Sequence, residues 1–103
     1  MAEFTVTKEN FEAEVLNSEI PVLVDFWAPW CAPCRMLLPV VEEIAAERSD
    51  IKVGKVNVDE QMELARKFRV MSIPTLMIFK GGEMVKKTLG AMSKEELLEF
   101  LAL

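Results

Sequence analysis

The order of apolar and polar positions divides the chain into short blocks. Residues 3–6 predict a short strand. Over residues 7–17, Phe11, Val15 and Leu16 fall on one helix face, with Thr7 placed as an N-cap. Pro21 opens "PVLVDFWA", a nearly continuous apolar run of the kind that forms a strand covered on both faces. Residues 31–48 predict a long helix. Leu37, Val40, Val41 and Ile44 lie at helical spacing, and Pro39 inside it is expected to kink it. "IKVGKVNV" at 51–58 predicts another strand, and Asp59 is placed to cap a helix over 60–68. "TLMIFK" (75–80) and "EMVKKTLG" (83–90) flank Gly81 and Gly82 and predict a hairpin. Ser93 and Glu96 have capping-box spacing before a last helix that buries Leu97, Phe100 and Leu101.

The order βαβαβα followed by ββα predicts an α/β fold, a mixed sheet with helices on both faces. The early strands connect through helices and can run parallel, while the closing hairpin is antiparallel.

A chain of 103 residues predicts a single domain over 1–103. At that length folding hides roughly two-thirds of the unfolded surface, enough for a core without staples. About half the residues are apolar (51%), with no repeat or low-complexity segment. The net charge of -5 disfavours nucleic acid, since no basic stripe exists to neutralise phosphates. No segment approaches the roughly 18 apolar residues of a membrane span. "MAEFTVTKEN" has neither the basic nor the apolar run of a signal peptide, so a cytoplasmic location is expected.

In that compartment structural disulfides are rare, which focuses attention on "WCAPC". Cys31 and Cys34 are the only two cysteines, and the chain has no histidine. A structural zinc site wants four ligands, so a second chain would be required. A staple across so short a loop removes little unfolded-state entropy. A redox dithiol accounts for more of the surroundings. Cys31 stands where a strand-loop enters a helix, facing unpaired N–H groups and the positive dipole end, which favour a thiolate. Pro33 suits the first helical turn. Cys34 falls one turn in, so the pattern predicts one exposed, activated sulfur and one sheltered one.

Two charged residues interrupt apolar strands. Asp25 lies within "VLVDFWA" and is either edge-facing and solvated, or buried with a raised pKa. Lys55 shares a strand face with Ile51 and Val53; it either snorkels to solvent or meets Asp25 from the next strand. By pattern alone Trp27 and Trp30 read as core.

Taken together, "DFWAPWCAPCR", "KVNVDE", "SIPTLMIFKGGE" and "LGAMSKEEL" resemble the thioredoxin family, in order and at matching spacings from about residue 5 to the C-terminus. The resemblance implies a five-stranded mixed sheet flanked by four helices, and reduction of protein disulfides. It implies Cys31 as nucleophile and Cys34 as resolving thiol. Asp25 becomes a buried acid that helps move a proton at Cys34, with Lys55 beside it. Trp27 becomes a packing support and Trp30 part of an exposed rim. The resemblance further implies a cis Ile73–Pro74 bond, where pattern alone favours trans. Such a bond would let the Ile73 backbone pair with substrate main chain, in a groove shared by Trp30, Ala32, Pro33, Pro74, Gly90 and Ala91.

No cofactor is expected on the chain, which lacks a dinucleotide-binding glycine pattern. The implied partners are disulfide-containing proteins and a flavin-containing thioredoxin reductase that uses NADPH. A monomer is expected. Ala32 departs from the family's usual Trp-Cys-Gly-Pro-Cys, which puts the potential of the pair in question. Ala should be tolerated if the chain is helical from Cys31 onward. Met71 and Met92 fall near the groove, either as adaptable contacts or as ordinary packing. Two rival readings keep the fold: an oxidase or isomerase, and an interaction subunit with an idle dithiol.

Overall fold

The computed structural model describes residues 3–102 and places nine elements in the expected order. These are β1 (Phe4–Thr5), α1 (Glu12–Leu16), β2 (Val22–Trp27), α2 (Ala32–Glu47), β3 (Lys52–Asn57), α3 (Met62–Lys67), β4 (Thr75–Lys80), β5 (Glu83–Leu89) and α4 (Lys94–Leu101). The five strands form one sheet in the order β1-β3-β2-β4-β5. β1 and β2 run parallel to β3, β4 runs antiparallel to β2, and β5 antiparallel to β4. The mixed sheet follows from the connections. β1, β2 and β3 are joined through helices, whereas Gly81 (φ 61°) and Gly82 (φ 83°) make a tight turn that only a hairpin can use.

Alternation along β2 feeds two core layers. Leu23 packs with Leu37, Val41 and Ile44 of α2 and with Leu97 and Leu101 of α4. Val22, Val24 and Phe26 pack on the other face with Val15 of α1 and Leu64 of α3. Helices therefore cover both faces. Phe11, Phe68 and Phe79 add edge and tilted ring contacts at 5.3–5.6 Å to the second layer.

Several boundaries differ from expectation. Thr7 does not cap a helix directly. Its hydroxyl accepts from the Asn10 N–H (3.2 Å), while the Asn10 side chain accepts from the Thr7 N–H (2.8 Å) and donates to the Thr5 carbonyl (2.9 Å). These side-chain bonds hold a turn and delay the helix to Phe11. Asp59 does not cap α3, which starts after Gln61 with no side-chain cap. Pro39 lies on the exposed side of α2, and the helix continues through it to Glu47.

The C-terminal end of α3 forms a reciprocal pair of closing bonds, Val70 N–H to Ala65 O (2.8 Å) and Arg69 N–H to Arg66 O (3.1 Å). Arg69 takes φ 53° there, the left-handed position that usually belongs to glycine. The Ser93–Glu96 capping box forms as expected. Lys86 of β5 donates to the Phe100 and Ala102 carbonyls (2.9 and 2.6 Å), a cation at the negative end of α4.

Both sheet edges are short or irregular. β1 spans two residues, and β5 shifts register opposite Ile78 and Phe79 while carrying Lys86 and Lys87. Among the described residues no helix is long and apolar enough to cross a membrane.

Candidate active site

β2 ends at Trp27, and after Ala28, Pro29 and Trp30 the chain enters α2 through Cys31. Cys31 is the N-cap, with extended backbone (φ -88°, ψ 109°). Its N–H donates to the Ala28 carbonyl (3.1 Å), and Arg35 reaches back from α2 to the Pro29 carbonyl (3.0 Å), which fixes the loop. Cys31 Sγ accepts from the Cys34 N–H at 3.2 Å, where a serine or aspartate cap would place its oxygen. Pro33 has no N–H to offer, so Cys34 supplies the donor from the third helical position. Ala32, the first helical residue, is not among the residues with positive φ, so the position does not need glycine.

Cys31 and Cys34 are joined by a disulfide, with Cα atoms 5.2 Å apart. The expected contrast between an exposed and a sheltered sulfur is absent here: Cys31 is 4% and Cys34 3% exposed. Packing explains it. Ala28, Trp27, Val58 and Ile73 close around both cysteines, and the Ile73 carbonyl oxygen lies 3.7 Å from Cys31 Sγ.

The Ile73–Pro74 bond is cis. Gly90, at φ 88°, donates its N–H to the Pro74 carbonyl (2.9 Å), which ties the loop after β5 to the proline. The structure thus brings Ile73 to the disulfide, with Pro74 next to it in the chain and Gly90 bonded to Pro74. Ala32 and Pro33 are exposed on α2 beside it, and Ala91 is exposed after Gly90.

Trp27 is half-buried under the cysteines, while Trp30 is 68% exposed, contrary to the core placement its pattern suggested. Trp30 Nε1 donates to Asp59 Oδ2 at 2.9 Å. That bond is what Asp59 makes in place of a helix cap. Met71 is exposed beside a cleft of about 450 Å³ lined by Val58, Met62, Arg66, Arg69 and Val70. Met92 instead packs against the α2–α4 core.

Asp25 is buried, which removes the solvated alternative. It pairs in register with Lys55 on β3 and Leu76 on β4, on the same sheet face as Leu23 and hence under α2. Its Oδ1 is buried without a hydrogen-bond partner. Burial pushes its carboxyl up to about 7; Lys55 opposes that shift and Glu3 adds to it.

Lys55 neighbours Asp25 in register and acts on its charge, but the ion pair it makes is with Glu3. Its ammonium lies 3.8 Å from Glu3 Oε1 and 4.5 Å from the centre of the Trp27 ring. Sequence reasoning missed Glu3. Nothing local marks it; only the parallel pairing of Thr5 with Lys55 brings the residue two positions earlier to the same side. Asp59 was noticed for the wrong role, because its partner is 29 positions away.

The thioredoxin family model matches residues 2–103. Thioredoxin 1 of Nostoc sp. is 56% identical over 97 residues, covering 93% of this chain and 91% of the relative. Thioredoxin of Mycobacterium bovis is 53% identical over 102 residues, covering 98% and 88%. The bifunctional thioredoxin reductase/thioredoxin of Mycobacterium leprae is 53% identical over 98 residues, which is 94% of this chain and 21% of that longer protein. A match that runs nearly end to end, with a redox-active cysteine pair at the start of α2, places this chain in the thioredoxin family of thiol–disulfide oxidoreductases.

Proposed function

We propose that the chain, acting as one monomeric domain, reduces disulfides of cytoplasmic proteins with Cys31 as nucleophile and Cys34 as resolving thiol. The observation that carries the role assignment is the position of Cys31 as the N-cap of α2. In the reduced protein its sulfur would keep the Cys34 N–H and the helix dipole as stabilisers of a thiolate.

The thiolate attacks one substrate sulfur, forming a Cys31–substrate disulfide and expelling the other substrate sulfur as a thiolate, which takes up a proton. Cys34 then loses its proton toward Asp25 and attacks Cys31 Sγ. The Cys31–substrate bond breaks, the substrate sulfur held in it leaves as a thiolate and takes up a proton, and the Cys31–Cys34 disulfide forms. Two electrons have moved from the dithiol to the substrate. The substrate lies along Trp30, Ala32, Pro33, Ile73, Pro74, Gly90 and Ala91, with its main chain beside Ile73. Trp27 supports the cysteines from below, and Lys55 acts on the charge of Asp25.

Electrons return from a thioredoxin reductase, through its flavin and NADPH. The Mycobacterium leprae relative, named a bifunctional thioredoxin reductase/thioredoxin, joins both in one protein and supports that partner. A reducing compartment is the one in which such an activity is useful, which supports a cytoplasmic site of action.

The test uses insulin as a disulfide substrate, with dithiothreitol as reductant for the wild type. Cys34→Ser, added in stoichiometric amount, should accumulate a mixed disulfide visible on a non-reducing gel and should not turn over. Cys31→Ser should trap none; equal trapping by Cys31→Ser would overturn the assignment of roles.

A further inference from the structure

Lys55 stands between two carboxylates. Its Cα is in register with Asp25, one strand spacing away, and its ammonium lies 3.8 Å from Glu3 Oε1 and 4.5 Å from the centre of the Trp27 ring, on the strand that carries Asp25. Glu3 and Lys55 side chains are each 18% exposed, and Glu3 Oε2 is buried without a hydrogen-bond partner. They share a cleft of about 240 Å³ with Phe4, Thr5, Trp27 and Asn57. Glu3 is therefore a half-enclosed anion whose one ion pair among the described residues is with Lys55.

We propose that Glu3 is a positioning residue for the proton step at Cys34: it pairs with the Lys55 ammonium in competition with Asp25 and so weakens the countercharge that Asp25 feels. The inference rests on Asp25 receiving the Cys34 proton, as above. The chemistry is a competition for one cation. A carboxylate paired with an ammonium holds its charge and becomes a weak base near neutrality; a buried, unpaired one takes up a proton readily.

The charged groups around the pair are Lys55 on β3, Glu3 before β1, Glu42 on α2, which acts on Glu3, and Glu60 at the cleft. Leu76, the β4 neighbour of Asp25, brings no charge. Burial is the main cause that raises both carboxyls and Lys55 opposes it at each; Glu42 adds to the rise of Glu3, and Glu3 to that of Asp25.

Glu3→Gln removes the anion, and Glu3→Lys reverses it. The Asp25 carboxyl is followed by carbon NMR across pH 4 to 9, and insulin reduction is measured over pH 5 to 9 for both variants and for Asp25→Asn. The expected result is an Asp25 midpoint below about 7 in Glu3→Gln and lower again in Glu3→Lys, with the pH–rate profile moving by the same amount and KM unchanged. An Asp25 midpoint that stays in place in both variants overturns the role of Glu3. If Asp25→Asn flattens the rate profile while that midpoint stays in place, only the Glu3 inference falls. If Asp25→Asn leaves the rate profile as it was, the proton role of Asp25 falls, and the role of Glu3 with it.

Discussion

Replacing Asp25 with alanine should make the protein more stable, and by an amount that depends on pH. The folded carboxyl titrates at about 7 against 3.8 for an ordinary aspartate. Below pH 3.8 both folded and unfolded chains hold the proton, and burial carries no charge penalty. Between 3.8 and about 7 the folded state keeps a proton that the unfolded state has released, so stability falls as pH rises through this window. Above it the carboxylate is charged, buried and short of one hydrogen-bond partner, and the loss is complete. A gap of about 3 pH units corresponds to about 4 kcal/mol. Alanine has no such dependence, only a small constant cost for the lost volume, on the order of 1 kcal/mol.

Urea denaturation of the oxidised wild type and Asp25→Ala, followed by tryptophan fluorescence and circular dichroism, measures the difference. The variant's advantage should grow by about 4 kcal/mol between pH 4 and pH 8, with equal m-values. Glu3 is present in both proteins, so most of its own titration cancels. Parallel stability curves across that range would show that Asp25 is not held in its protonated form by burial, and the proposed proton step would lose its acceptor.

Two further outcomes test the packing. Arg69 closes α3 in a left-handed conformation, so Arg69→Gly should stabilise the fold by about 1 kcal/mol, read from the urea midpoint. A Cβ on Gly54 would sit 2.5 Å from Val6 Cγ2 and 3.1 Å from Phe4 Cζ. Gly54→Ala should therefore push β1 outward and cost about 1–3 kcal/mol in the same assay.

Much of the fold is legible in the sequence because its signals are local. The Gly81–Gly82 turn, the Ser93–Glu96 box and the apolar run of β2 each state their structure within a few residues. The cysteine pair is legible for the same reason, since Cys31, Pro33 and Cys34 define the start of a helix by themselves. What the sequence leaves open depends on pairing across distance. Lys55 has two candidate roles until the register of β1 on β3 supplies Glu3, and Asp59 reads as a cap until Trp30 claims its carboxylate. Thr7 misleads for a subtler reason: a cap and a side-chain-held turn use the same residue types, and Asn10 decides between them. The enclosure of both cysteines is invisible for want of any local mark that Ile73 would roof them.

The treatment of the sheet edges has a bearing on the protein's working life. A reductase meets other proteins as their cross-links open, when their own strands come loose and seek partners. A long flat edge would adopt such strands and seed aggregation. Here β1 is two residues long, and β5 is bulged and bears Lys86 and Lys87. A loosened client strand therefore finds no ready template at either flank, and the enzyme can release what it has unlocked.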